Sequence, residues 1–250
     1  MKKVTIKTQG LDIGYGKENL VITDVNFEIR AGEIFTILGG SGCGKTTLMR
    51  SLLGLENPLA GKIYINNIDV LNANSKEIKE VKKNMGVMFQ SGALISSSNL
   101  LDNIMLPLEE HLKLPRSILK EAAFEKLERV GLEDYAYYYP ANISGGMVKR
   151  ASIARAMALD PNIIFLDEPS AGLDPITQTD LDQKIKSLAH DFGITFVIIT
   201  HELATINTIA DRAIVLNNKK VVASGDIDYL KTQVDDPFVK RFFNPKKVIS

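Results

Sequence analysis

Tryptophan is absent from the 250 residues and cysteine occurs once. A single cysteine excludes an internal disulfide and any multi-cysteine zinc cluster, and it fits a reducing compartment. Net charge is missing as well, since 30 Lys and Arg balance 30 Asp and Glu. Bulk charge therefore gives no ground for a nucleic-acid partner, and none is expected. Long hydrophobic runs are also missing. The longest uncharged stretch, from Asn84 to Leu101, is broken by Gln90, Ser91, Ser96, Ser97, Ser98 and Asn99, so it would not insert into a bilayer. The opening MKKVTIKTQG carries neither an apolar signal core nor an Arg/Ser-rich transit pattern. Any membrane role is thus expected to need a partner. What is present is ordinary: 45% hydrophobic and 24% charged residues, enough for a chain of this length to bury a sizeable core.

Alternating β-leaning runs open the chain: Val4-Ile6, Val21-Ile22, Val25-Phe27-Ile29 and Ile63-Tyr64-Ile65. They predict a small antiparallel sheet. Ile34 to Leu38 is a continuous apolar run closed by Gly39, the pattern of a buried parallel strand, with a helix expected from about Lys45 to Leu55. The middle reads as helical, with helices over Pro115 to Val130 (Gly131 as its C-terminal stop) and Gly146 to Leu159. Then strands at Ile163–Leu166, Phe196–Ile199 and Ala213–Leu216 alternate with helices at Thr177–Ala189 and Glu202–Ala210. Such alternation implies an α/β fold with a parallel sheet covered on both faces, into which a helical subdomain at about 91–160 is inserted.

Gly39-Gly40-Ser41-Gly42-Cys43-Gly44-Lys45-Thr46 fits G-x-x-x-x-G-K-[ST] in full, between an expected strand and an expected helix. Backbone N–H groups in such a loop face a phosphate chain, and the helix N-terminus adds its positive end. Lys45 can reach the β- and γ-phosphates, Thr46 can hold Mg²⁺ and Thr47 can bond the α-phosphate. Cys43 has no basic partner beyond Lys45, which argues against a catalytic thiol, although the loop's positive charge favours a thiolate open to alkylation. Asp167 and Glu168 end an apolar strand. Asp167 would complete the Mg²⁺ site, and Glu168, on the opposite side of the strand end, would polarise a water. Ser144-Gly145-Gly146 opens a helix and reads either as a second anion site or as a plain N-cap.

These motifs, together with Ala171-Gly172-Leu173-Asp174 and Thr200-His201, resemble the ATP-binding cassette ATPases in order and spacing over about residues 4–230. The resemblance implies a P-loop NTPase core with a parallel sheet, an N-terminal antiparallel β-subdomain and an inserted α-helical subdomain, filling 1–232 and leaving a short tail at 233–250. It also implies roles. Tyr15 is similar to the adenine-stacking aromatic, which without the resemblance would read as strand packing. Gln90 is similar to the glutamine that senses Mg²⁺ and γ-phosphate, otherwise a surface glutamine. Asp174 and His201 match the aspartate of the loop after the acidic pair and the switch histidine. His111 and His190 match nothing and read as solvated. In this family ATP lies between the phosphate loop of one subunit and the Ser-Gly-Gly signature of the other, so a homodimer is implied.

A narrower resemblance, to the bacterial Mla-type and Mce-linked phospholipid transporter ATPases, rests on Phe89 to Leu94, Leu101-Asp102-Asn103-Ile104, Pro107-Leu108, Ser144-Gly145-Gly146-Met147, Thr200-His201-Glu202-Leu203 and Asp236 to Phe243. It implies an integral-membrane permease, accessory lipid-binding and small cytoplasmic subunits, and a place on the cytoplasmic face of the bacterial inner membrane. Two other readings stay open: the same engine serving another solute, and a soluble cassette ATPase acting on nucleic acid or the ribosome. The latter would show a long coiled-coil insertion, tandem cassettes or a basic arm.

Overall fold

Alternating and continuous apolar runs end up in different sheets. In the computed structural model, which describes residues 3–16 and 18–244, the chain forms β1 (Val4–Gly14), β2 (Leu20–Arg30), β3 (Ile34–Gly39), α1 (Lys45–Leu52), β4 (Ala60–Ile65) and β5 (Ile68–Asp69). Next come α2 (Ser75–Lys83), β6 (Met85–Met88), α3 (Leu100–His111), α4 (Arg116–Arg129) and α5 (Gly145–Ala156). Strands and helices then alternate: β7 (Ile163–Asp167), α6 (Pro175–Phe192), β8 (Thr195–Ile199), α7 (Leu203–Ile209), β9 (Arg212–Asn217), β10 (Lys220–Asp226), α8 (Ile227–Thr232) and α9 (Pro237–Phe243). Among the described residues the strands make two sheets. The antiparallel one has the order β2-β1-β4-β5 and the larger one β10-β9-β3-β8-β7-β6, parallel from β9 to β6 with β10 antiparallel at its edge. This is the expected α/β architecture. α3, α4 and α5 all lie between β6 and β7, which pair with each other, so the helical layer is an excursion from the sheet.

β3, β7 and β8 are buried along their whole length, as parallel strands covered on both faces must be. Their side chains divide by the two-residue period. Ile164, Leu166, Phe196 and Ile198 join the core under α3 to α6. Ile163, Phe165, Val197 and Ile199 join the core shared with α1 and the antiparallel sheet. Each of these large side chains contributes roughly 1.5–3 kcal/mol by burial, which fixes the strand ends that carry the candidate site.

Four helices beyond the sequence reading appear among the described residues, α2, α3, α8 and α9. α2 has a legible start: Asn74 accepts from the Lys76 and Glu77 amides while Glu77 reaches back to the Asn74 amide, a capping box. α3 is capped by Asn99, but it contains Pro107, a residue that argues against a helix interior. α6 starts at Pro175, earlier than the expected Thr177, because Asp174 caps it by accepting from the Ile176 and Thr177 amides. α5 stops at Ala156 rather than Leu159. Of the expected tail at 233–250, α9 packs Val239 against Leu38, Ile206 and Leu230; 245–250 lie outside the described residues, as do residues 1, 2 and 17.

Between α6 and α7 sits a buried acid, Asp182, 1% exposed. The Thr205 hydroxyl bonds to it, Gln178 Nε2 donates to Thr205 at 2.9 Å, and Asp182 Oδ1 has no partner. Burial, helped by the charge of Glu202 and opposed by the Thr205 bond, pushes its carboxyl up to about 6. The folded state therefore binds a proton that the unfolded state has released between about pH 4 and pH 6. Stability from the neutral acid is complete below the unfolded value and is lost as pH rises through 6. Ionised Asp182 then costs on the order of 2–3 kcal/mol. Asp182→Asn is expected to raise the melting temperature at pH 8 by several degrees, with the gain shrinking toward pH 4. A gain that is equal at both pH values would disprove the titration.

Candidate functional site

The turn from β3 into α1 is possible only with glycine at its two ends. Gly39 has φ 152° and Gly44 φ 100°. A Cβ on Gly39 would stand 2.5 Å from the Leu216 carbonyl oxygen, and one on Gly44 2.6 Å from Ile22 Cγ1. The loop of Gly40, Ser41, Gly42 and Cys43 between them opens onto solvent at Ser41 and Gly42. Lys45 folds back over this loop, donating from Nζ to the carbonyls of Gly39 (3.0 Å) and Gly40 (2.9 Å). Its ammonium is thereby held within the cradle of a phosphate-binding turn. Thr46 is exposed and Thr47 half-buried in the first turn of α1. Cys43 departs from expectation. Its side chain packs against the core of the antiparallel sheet, and burial pushes its thiol up, outweighing the Lys45 charge, so the thiolate that alkylation needs is disfavoured.

The tip of β7 carries the acids. Asp167, 7% exposed, has its carboxyl raised by burial and by the neighbouring Glu168 charge, with Lys45 and Lys149 opposing. Glu168 lies just past the strand and not within it. The strand ends at Asp167, and Glu168 turns into the left-handed region with φ 47° while its amide donates to the Ile199 carbonyl at 2.8 Å. A non-glycine residue held there stores about 1–3 kcal/mol of strain. The turn aims its carboxylate at His201, whose Nδ1 lies 2.8 Å from Oε1; an ionised carboxylate only accepts, so Nδ1 donates. The other oxygen, Oε2, is buried with no partner. That unmet acceptor suits a water that donates to it or a cation. His201 Nε2 is also 3.5 Å from Glu202 Oε1.

Gln90 is exposed on an open cleft of about 610 Å³ lined by Phe89, Gln90, Ser91, Asp167, Ala171 and Gly172. The fold thus gathers Lys45, Gln90, Asp167, Glu168 and His201 at the ends of neighbouring parallel strands. Tyr15, 73% exposed, sits just beyond β1, and Ile22 and Val21 of the paired strand lie against the Gly44 position. A second group forms at the start of α5. Ser144 caps it, its Oγ accepting from the Met147 amide at 3.3 Å. Gly146 is required by proximity, since a Cβ would stand 2.4 Å from Thr177 Cγ2; Gly145 faces Leu173. Asp174 belongs to this group and also accepts from the Thr177 hydroxyl at 2.6 Å. That bond, first among several to Thr177 and Ile176, holds its carboxyl below the usual range. Met147 is half-buried against the helical core. His111 and His190 are exposed. Sequence reasoning missed Lys149. It is 8% exposed, donates to the Gln90 carbonyl, and has its ammonium pushed down by burial against the opposing pull of Asp167 and Glu168.

A glycine-rich phosphate turn after β3, an acid pair at the end of β7 two strands away and a capped Ser-Gly-Gly helix define a nucleotide-hydrolysing cassette. Residues 22–171 match the family profile described as ABC transporter, and the chain belongs to that family, whose members bind and hydrolyse ATP. It is 40% identical over 245 residues to the "Probable ribonucleotide transport ATP-binding protein mkl" of Mycobacterium leprae, covering 98% of this chain and 70% of that one. It is 38% identical over 234 residues to the "Intermembrane phospholipid transport system ATP-binding protein MlaF" of Escherichia coli K12, covering 93% and 87%. Among solved structures, the dimeric ATP-binding cassette MJ0796 in a post-hydrolysis state bound to ADP and Pi superposes with TM-score 0.79 at 30% identity, covering 89% of this chain and 98% of that one.

Two outcomes follow from this geometry. Lys45→Ala removes the loop's fixed cation; with charged hydrogen bonds worth about 1.5–3 kcal/mol, ATP affinity is expected to fall roughly ten- to hundredfold by calorimetric titration. Unchanged binding would refute the loop's role. At the second group, Met147→Gln is expected to keep most ATPase activity, because a half-buried Met offers no donor, whereas Ser144→Arg abolishes it by filling the capped turn. The reverse pattern in a phosphate-release assay would show that the Met147 surroundings, and not the serine turn, govern activity.

Proposed function

We propose that this chain is the ATP-hydrolysing subunit of a membrane transporter that moves phospholipid between bacterial membranes. The observation that carries the hydrolytic reading is the Glu168–His201 pair, with one carboxylate oxygen held by the imidazole and the other buried and unmet. In this reading Lys45 and the amides of Gly40 to Thr47 bind the phosphates, and Tyr15 stacks on the base. Glu168 takes the second position of the acid pair and orients the attacking water, held in place by His201. Thr46, Asp167 and Gln90 would hold Mg²⁺; when bound, the ion supplies positive charge against the developing phosphate charge. Ser144, Gly145, Gly146 and Asp174 complete the site of a second copy, so an isologous pair contains two equivalent sites.

Support for the cargo comes from the relative named for intermembrane phospholipid transport, matched over nearly the whole chain, and from the Met at 147 and the segments around Gln90 and Asp236. A second reading, another solute, is favoured by the equally long match to a relative named for ribonucleotide transport. Among the described residues no helix is long and apolar enough to cross a membrane. The chain therefore reaches the cytoplasmic face of the inner membrane through an integral-membrane permease docked near Gln90 and the helical layer, with accessory lipid-binding and small cytoplasmic subunits. No nucleic acid takes part.

Glu168→Gln is expected to bind ATP, lower kcat by about 10²–10⁴-fold and accumulate as an ATP-bound dimer by light scattering. In the reconstituted membrane complex it should abolish ATP-dependent transfer of labelled phospholipid. Turnover near wild type would remove Glu168 from its role. A wild-type complex that moves nucleotides or small polar solutes and no lipid would favour the second reading.

A further inference from the structure

The loop that carries Gln90 is held by its backbone from two helices. On one side Lys149 of α5 donates to the Gln90 carbonyl, and Arg155 of the same helix donates from Nη2 to the Gly92 carbonyl (3.1 Å) and from Nη1 to the Ala93 carbonyl (2.7 Å). On the other side Asn103 of α3 accepts from the Ile95 amide and donates to the carbonyls of Ile95, Ser98 and Asn99. The loop backbone is shaped for the first grip. Gly92 and Ala93 both lie in the left-handed region, at φ 76° and 50°. A Cβ on Gly92 would stand 2.6 Å from Ser152 Oγ, on the same helix. A buried ammonium is costly unless it is paired and hydrogen-bonded, and packing alone would be served as well by an apolar side chain at 149. Lys149 donates to a loop carbonyl while its charge faces Asp167 and Glu168, whereas Arg155 is spent wholly on loop carbonyls.

We infer that Lys149 and Arg155 are positioning residues that fasten the Gln90 loop to α5, so that the loop and the Ser144 end of that helix move as one body. The inference rests on the proposed roles of Gln90 and Ser144. Asp167, Glu168 and Lys45 stand at ends of the parallel sheet, and Gln90, two residues beyond β6 of that sheet, is where the chain passes to the helical layer that holds the loop's backbone. Gln90 then reaches across from one body to the other. Lys149 and Arg155 lie on the same continuous, hydrogen-bonded helix that Ser144 caps, so a shift of the loop is delivered to the Ser144 turn. The grip acts on placement of the loop and not on ATP directly, so its loss should appear in kcat more than in KM.

The test uses the full chain with Lys149→Met, Arg155→Met, the double variant and the conservative Arg155→Lys. Arg155→Met, which leaves the charge facing Asp167 and Glu168 in place, is expected to lower kcat about tenfold while KM for ATP changes less than about threefold, and Lys149→Met, which also removes that charge, is expected to lower kcat at least as much. The double variant should be little worse than the poorer single one, since both act on one loop. Arg155→Lys should recover at least half of the lost kcat. Hydrogen exchange by mass spectrometry should show the 89–94 peptide exchanging about tenfold faster in the double variant, with the β7 and α1 peptides unchanged. If Arg155→Met does not fold, Arg155→Gln, neutral but still a donor, takes its place. Unchanged exchange at 89–94 would overturn the proposal, as would kcat within about twofold of wild type in both single variants. Exchange reads the grip without nucleotide. A wild type lacking ATP hydrolysis while the exchange result holds would therefore indict the nucleotide reading and not the fastening.

Discussion

Two adjacent carboxylates, Asp167 and Glu168, must be kept side by side in a largely buried place, and the rest of the site answers that demand. Like charges so close raise the cost of ionising either one, and Asp167 shows it, its carboxyl raised by burial and by Glu168. Four features make the pair tolerable. Lys45 and Lys149 supply positive charge from two different elements. His201 takes one oxygen of Glu168. The left-handed turn at Glu168 takes its carboxylate to His201. The parallel strands beneath, buried on both faces, hold the acids in place through Phe165, Leu166, Ile198 and Ile199. A pair so arranged is poised for the cation that accompanies a polyphosphate, which supplies the remaining positive charge, and for a water that donates to Oε2.

The same demand separates the molecule into two mechanical parts. The phosphate turn, the acids and His201 are set by the sheet, through β3, β7 and the chain just beyond β8. Ser144 and the Gln90 loop are set by the helical layer, through α5 and α3. Close contact between the parts is made by small residues: Gly146 against Thr177, and Gly86 of β6 against the Ala156 carbonyl, where a Cβ would stand 2.1 Å away. Closely fitted surfaces of this kind favour discrete arrangements over gradual deformation, which is the property a nucleotide-driven engine needs.

Much of this was legible from residue order because it rests on local pattern. The glycine spacing before Lys45 is contiguous, and the strand carrying the acids announces itself as an unbroken apolar run. α6 and α9 could have been started correctly from Asp174-Pro175 and Asp236-Pro237, where a capping acid precedes a proline at the first helical position. α3 was obscured by Pro107. The turn at Glu168 was not legible, because the two-residue period says nothing past the end of β7. Cys43 was misjudged because Lys45 is visible in the sequence while the core beneath the loop is not. The grip of Lys149 and Arg155 had no signature at all: its acceptors are backbone carbonyls 59 to 63 residues away, and every residue has a carbonyl.

The central claim is that each ATP is shared between the Lys45 loop of one copy and the Ser144 turn of another. Its most direct test is complementation between two broken chains, Lys45→Ala and Ser144→Arg, each also carrying Glu168→Gln so that bound ATP is retained. Either chain alone has two damaged sites in every pair. A mixed pair concentrates both lesions in one site and leaves the other intact. The account predicts that only the mixture, given ATP and Mg²⁺, forms a dimer retaining about one ATP per pair by sedimentation and nucleotide analysis. A mixture that retains no ATP, or a Ser144→Arg chain that alone dimerises and retains ATP like its parent, would contradict it.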